Sequence, residues 1–377
     1  MKKRVYVDLF YLNTALTGIK TYMLEFVEAV NEHSYDDFEY IFSHDPEKQS
    51  TQTFFRGDVP YWRKLLYHLY YFYYKQLVLP LKLKFHKADQ LICFDFVAPA
   101  LNSKPNIVVV HDAFFWQMPQ NYNSHWRKYF LKAIYWGLKE NTTVVTTSRY
   151  AKASIEQATP IKHPIEVIYQ CPRLLPDQAD DCILEELEVW AQGYFLHIGS
   201  FDKRKDLTVL VKAFAKFDQK YPGEKKLVLV GERGLSVALD DYPAVVGAIR
   251  EYRLEEKVVL PGFLPDKKVK SLYRNAFAYI FPSSNEGFGI PVIEAMHNQI
   301  PVLISDQAAL AEVAGGAALV SPIGDVDNFA KQMEKLHLEP QLRENLIQKG
   351  LIRTKVFSRQ NFYESFHQLI SNGSKNN

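Results

Sequence analysis

Short β-branched runs that end in loops, each followed by an amphipathic helix, recur along the chain in two separate series. This alternation constrains the fold more than any composition does. Strands that run parallel need a crossover between them, and a helix is the usual one. Two such series predict an α/β chain with two doubly wound parallel-sheet, Rossmann-like domains facing across a cleft, with the ligand in that cleft. The first series reads strands at residues 4–9, 106–110, 142–147 and 165–169. Its helices carry Met23, Phe26, Val27 and Val30, then span 123–138 and 151–157. The second series reads strands at 194–198, 226–230, 258–260, 277–281 and 300–304, with helices at 207–217, 291–297 and from 326 onward. Residues 172–181 carry prolines and aspartates without periodicity, which places the domain boundary there.

Composition excludes several function classes. A length of 377 residues suits two or three domains, and 47% hydrophobic with 23% charged residues describes a soluble chain with large cores. A net charge of +2 does not fit a strongly basic nucleic-acid binder, so no nucleic-acid partner is expected. The three cysteines, Cys93, Cys171 and Cys182, show neither metal spacing nor a paired framework, which suits a reducing compartment. No run of about 18 apolar residues is present, so no bilayer span is expected. The basic start Met1-Lys2-Lys3-Arg4 looks like that of a signal peptide, but the run after it is broken by Asp8 and reads as a first strand.

Asn285-Glu286-Gly287-Phe288-Gly289-Ile290-Pro291-Val292-Ile293-Glu294 joins a buried strand to a helix. Gly287 and Gly289 allow unusual turn dihedrals and close approach of a ligand. Pro291 suits the first helical position. The helix N-terminus offers free N–H groups to an anion such as a phosphate. Glu286 in the turn and Glu294 on the helix flank that point, which suits a ligand bearing both phosphate and hydroxyls, such as a sugar nucleotide. The plainer reading is a routine strand–turn–helix junction with Glu294 on the surface. Two more loops converge at strand ends, 199–205 and 231–234. Arg204 and Lys205 in the first are natural counter-charges for a diphosphate, against the alternative of a solvated charge run.

In the first half, Gly18 lies between a strand and a helix, where amides can face a ligand; an ordinary loop glycine explains it equally well. His111-Asp112 sit at the carboxyl end of a strand, where ligands collect. They read either as a phosphate- or sugar-binding or acid–base pair, or as a loop in which Asp112 caps the next element. Residues 60–88 are rich in Tyr and basic residues and hold no acid. That stretch suits the headgroup zone of an anionic membrane, or a pair of core helices with snorkelling lysines, or part of each.

With Glu286 and Glu294 spaced as E-x7-E, the chain resembles the retaining glycosyltransferase family 4, of the GT-B fold, and in particular its bacterial mannosyl- and rhamnosyltransferase-like members. Gly199-Ser200 through Arg204-Lys205-Asp206-Leu207 is similar to that family's phosphate loop, and Leu260-Pro261-Gly262-Phe263 to the segment beside its nucleobase site. Residues 309–319 resemble its downstream segment. Thr17-Gly18-Ile19 and Val110-His111-Asp112 resemble its acceptor-side loop and HD segment. The resemblance implies that Glu294 binds ribose, Glu286 contacts the transferred sugar, and the amides of Phe288, Gly289 and Ile290 hold sugar and phosphate. It implies that Arg204 and Lys205 neutralise the diphosphate and that Gly18 lies over it. His111 and Asp112 would sit near the sugar. Ser200, Gly231, Phe263, Leu264 and Gly287 complete the expected donor site. It further implies domains of 1–178 and 179–356, with a terminal helix at about 357–371 packing back on the first.

Ser200 stands where many members carry arginine, and residues 169–172 replace a commoner Pro-Asn-Gly turn. Asp325-x-Asp327 reads as a turn and cap, so no metal site and no cofactor are expected. The expected reaction moves a sugar, with retention, from a nucleotide diphosphate sugar to a hydroxyl of a glycan or lipid-linked glycan in cell-surface polysaccharide synthesis. GDP-mannose is the donor the resemblance points to first. The expected place is the cytoplasm, peripheral to the inner face of the membrane. The rivals are a nucleotide-sugar epimerase of the same fold and a non-catalytic sugar-nucleotide-binding subunit.

Overall fold

The computed structural model describes residues 2–15, 18–33, 35, 37–50, 60–234 and 239–372. The chain divides into two units, Met1–Cys171 with Ser358–Asn377, and Pro172–Phe357. The crossing falls at Cys171/Pro172 and not at 178/179, because the linker binds the second unit. Arg173 pairs with Asp266 at 2.7 Å, Asp180 N–H donates to the Lys267 carbonyl at 3.1 Å, and Ser271 Oγ donates to Asp181.

The first unit holds β1 (Lys3–Asp8), β2 (Phe38–Phe42), β3 (Gln90–Cys93), β4 (Asn106–Val109), β5 (Thr142–Thr146) and β6 (Ile165–Val167). They lie in the order β2-β1-β3-β4-β5-β6, every pairing parallel. Both faces are covered, so successive residues enter opposite cores. Val5 and Val7 of β1 meet Phe26 and Phe366 on one side; Tyr6 meets Tyr74 and Leu79 on the other. Helix Gly18–His33 closes the first core together with the terminal helix Arg359–Asn372. Phe26 lies edge-on to Phe366 at 4.9 Å, Tyr22 to Phe362 at 5.0 Å, and Arg359 pairs with Glu25 at 2.7 Å.

Residues 61–85 form one helical path. Helix Tyr61–Tyr73 passes through a π-helical turn, Tyr74–Val78, into helix Leu79–Phe85. The lysine at its centre does not snorkel: Lys75 is fully buried.

The second unit holds β7 (Tyr194–Ile198), β8 (Lys226–Val230), β9 (Val258–Gly262), β10 (Ala278–Phe281), β11 (Val302–Ser305) and β12 (Leu319–Ser321). Their order is β12-β11-β10-β7-β8-β9, again all parallel. Helix Leu207–Lys220 packs Leu207, Leu210, Val211, Phe214 and Phe217 on β7 and β8, the spacing of a single helical face. Asp325 caps helix Val326–Leu338 by accepting from Asn328 N–H at 2.9 Å. No helix among the described residues is long and apolar enough to cross a membrane.

Candidate functional site

The second sheet changes direction between β7 and β10, and ligands of open α/β sheets gather outside the strand ends at such a point. The loops leaving these two strands are stitched together there. Ser284 N–H and the Ser284 hydroxyl both donate to the Arg204 carbonyl, at 2.8 and 3.0 Å, and Ser283 Oγ lies 2.9 Å from the same oxygen. The Arg204 guanidinium donates back to the Asn285 carbonyl at 3.1 Å. The loop after β8 presses on the same place. Gly231 has φ +151°, and a Cβ there would lie 1.8 Å from the Gly199 carbonyl oxygen, so the approach requires glycine.

Glu286 sits at the centre, 7% exposed. Its Oε1 lies 2.6 Å from Lys205 Nζ and 2.7 Å from the Arg204 guanidinium, and it accepts from Ser283 Oγ at 2.6 Å. Its Oε2 has no hydrogen bond among the described residues. Burial pushes this carboxyl up, but the two cations and the hydrogen bonds from Lys205 and Ser283 outweigh burial and hold it down at about 2. Burial pushes the Lys205 ammonium down to about 8, against the pull of Glu286 and with help from Arg204. Lys205 Nζ also lies 4.5 Å over the Phe281 ring.

Glu294 is buried on helix Ile290–His297, accepting from Tyr273 OH at 3.1 Å with Arg173 Nε 3.7 Å away. Gly289 caps that helix with φ +116°. Gly287 is not left-handed, so one glycine alone makes the turn. Pro291 follows Ile290 and takes the second helical position rather than the first. Phe288 is buried edge-on to Phe357 at 5.7 Å. Ser200 Oγ donates to Asp202 at 2.6 Å, and Asp202 lies 3.9 Å from Arg204. Pro261-Gly262 belong to β9 rather than to its loop; Phe263 beyond them is exposed and Leu264 half-buried.

In the first unit, Gly18 begins helix Gly18–His33, while Thr17 lies outside the described residues. Asp112 accepts from Phe114 N–H at 3.0 Å, the turn-capping alternative. His111 is buried and donates from Nε2 to the Phe94 carbonyl at 2.8 Å. Burial pushes its imidazole down to about 4, so His111 is neutral at pH 7, with Nδ1 as its acceptor.

Several residues at the site have no local mark in the sequence. Asp202 holds Arg204, and Gln307 Nε2 donates to the Glu286 carbonyl at 3.2 Å while its Oε1 caps the next helix. His197 is fully buried, stacked on Phe281 at 5.5 Å, its Nδ1 donating to the Ile280 carbonyl at 3.0 Å.

Residues 188–353 match the family described as glycosyl transferases group 1. The fold is shared with the sucrose-phosphate synthase of Thermosynechococcus elongatus, at a TM-score of 0.75, 18% identity and full coverage of both chains. It is also shared with HepE of Anabaena, solved with UDP and glucose, at a TM-score of 0.71, 16% identity, and 98% and 100% coverage. The chain has the GT-B fold, and its second unit carries a glycosyl transferases group 1 domain. Among its relatives by sequence, the O-antigen chain mannosyltransferase B of Escherichia coli is 26% identical over 68% of this chain and 67% of its own length. The matched group 1 domain contains Arg204, Lys205, Glu286 and Glu294.

Proposed function

We propose that this glycosyltransferase moves a hexose from a nucleotide diphosphate sugar to a hydroxyl of a glycan, with retention of anomeric configuration. The observation that carries the reading is the pairing of Glu286 with two cations at the switch point of the second sheet. A diphosphate that enters there competes with Glu286 for Arg204 and Lys205. Charge built up on the leaving phosphates is then met by two fixed cations and by the N-terminus of helix Ile290–His297. We therefore assign the reaction no metal: these groups supply the charge a divalent ion would bring.

Glu286 contacts the transferred sugar through Oε2. A carboxyl held at about 2 is a weak nucleophile, which favours an orienting and electrostatic role. Glu294 receives the ribose hydroxyls, with Tyr273 fixing its rotamer. The amides of Phe288, Gly289 and Ile290 take sugar and phosphate. Gly231 permits the close loop, Ser200 acts through Asp202, and Phe263 and Leu264 flank the base. The first unit takes the acceptor, with His111 and Asp112 at its strand ends; a neutral His111 offers an acceptor for a sugar hydroxyl.

The mannosyltransferase relative makes GDP-mannose the first donor to test, and its O-antigen product points to a cell-surface polysaccharide, built on a lipid-linked acceptor. The three free thiols suit a cytoplasmic enzyme. The test is a thermal-shift screen with GDP, UDP and TDP, followed by product analysis with the matching sugar. At about 100-fold saturation a bound nucleotide adds roughly 2.7 kcal/mol of stability. No shift with any of the three, in a chain whose Glu286 and Lys205 are intact, overturns the donor site. Conversion of the donor without an acceptor identifies an epimerase, and binding without turnover identifies a non-catalytic subunit.

A further inference from the structure

The helical path over residues 61–85 has two apolar faces, and the inner one is pinned. Lys75 Nζ lies 2.6 Å from Asp8 at the end of β1, 2.5 Å from Asp95 beyond β3, and 3.0 Å from the Val97 carbonyl. Tyr71 OH donates to Asp95 at 2.8 Å, and Tyr67, Leu79 and Leu83 fill the core beside it. The ammonium fills the gap between β1 and β3, the direction-change of the first sheet.

The outer face is uncovered. Trp62, Leu69, Tyr73, Leu77, Leu81 and Phe85 stand exposed along it, from 51% to 82%. The last five recur every fourth residue. Such a row creeps round an α-helix because a turn takes 3.6 residues. The wider π turn at Tyr74–Val78 cancels part of that creep and keeps the row on one side. The surface continues onto helix Ser124–Gly137, where Tyr129 and Trp136 are exposed and ring-packed on Phe72 at 5.7 and 6.4 Å. Arg63 and Lys64 flank one end of the row, Lys84 and Lys87 the other, all exposed, and residues 60–88 contain no acid.

We propose that this outer face docks on an anionic lipid bilayer, with the helix lying in the plane of the headgroups. Aromatic and leucine side chains enter the acyl boundary while the basic residues at both ends meet lipid phosphates. The charge pattern selects lipid over a second copy of this chain. Any two-fold pairing of the face sets basic ends against basic ends, whichever way the helices run. The proposal is independent of the sugar-transfer reading, because vesicle binding is measured without donor or acceptor.

The test floats the full chain with phosphatidylcholine vesicles and with phosphatidylglycerol-rich vesicles, at low and high salt. Two variants accompany it: Leu69→Glu with Leu77→Glu, and Lys64→Glu with Lys84→Glu. The wild type is expected to float with the anionic vesicles at low salt, and each variant to lose about tenfold or more in partitioning, with thermal stability kept. The lysine positions are exposed at both ends, so that pair decides the matter even where the leucine pair misfolds. Equal recovery of wild type and lysine variant, or no flotation of the wild type, overturns the proposal. So does a dimer, seen by light scattering, that the leucine variant dissolves without any vesicle binding.

Discussion

Lys205 and Glu286 hold each other in charge states that neither would keep alone in a buried place. Burial brings Lys205 from its ordinary 10.5 down to about 8, so its charge is present below that pH and lost above it. The kcat/KM for the sugar nucleotide is therefore expected to fall as pH rises through about 8. Lys205→Arg, whose charge persists, is expected to move that limb to higher pH; an unmoved limb assigns it to another group. Glu286 runs the other way. Its folded value is depressed from 4.5 to about 2, so its stabilising pairing is full above 4.5 and lost as pH falls toward 2. Glu286→Gln is expected to lower Tm at neutral pH, with the gap from wild type closing in acid, and to reduce turnover by roughly 100-fold or more. Glu294→Ala is expected mainly to raise KM, since the contact proposed for it is with the ribose, distant from the transferred sugar. Equal kcat losses in both variants would put the two carboxylates in the opposite or in shared roles.

At the scale of the element, two features carry local risk. The loop after β8 closes on the loop after β7 only because residue 231 lacks a Cβ, so Gly231→Ala is expected to abolish donor binding and cost more than about 1 kcal/mol of stability. An unchanged nucleotide-induced Tm shift in that variant removes the loop from the site. In the first unit, Lys75→Met leaves Asp8 and Asp95 buried beside each other without a counter-charge. Loss of one partner from a buried pair costs about 3–5 kcal/mol, and a Tm drop of several degrees or more is the expected reading by circular dichroism. Long periodic elements were readable: β7 and β8 fall at 194–198 and 226–230, and helix Leu207–Lys220 overruns its expected end by one turn. β2, β3 and β12 were not, although β2 is as long as β7 and β8. The π turn, which carries the buried Lys75 that pairs with Asp8 and Asp95, was invisible as well.

At the scale of the whole molecule, the chain leaves its first unit at Cys171 and returns to it at Ser358. The returning helix places Phe362, Tyr363, Phe366 and Ile370 in the first core, each 0–1% exposed. Burial of one such side chain is worth about 1.5–3 kcal/mol, and a domain's whole stability is only about 5–15. Truncation after Phe357 is expected to leave the first unit unfolded and the chain insoluble; recovery of a soluble, cooperatively melting product refutes this dependence.

By itself the sequence determined the alternation of strand and helix, the two parallel sheets, and the residue types gathered at strand ends: Glu286, Glu294, Arg204 and Lys205. These follow from local periodicity and local turn chemistry, which need no knowledge of distant neighbours. Tertiary structure alone decided that Glu286 and Lys205, 81 positions apart, share a hydrogen bond and neutralise each other, and that Lys75 fills the gap between β1 and β3. Those pairings depend on strand order, and strand order is fixed by which faces bury together rather than by any short stretch of residues.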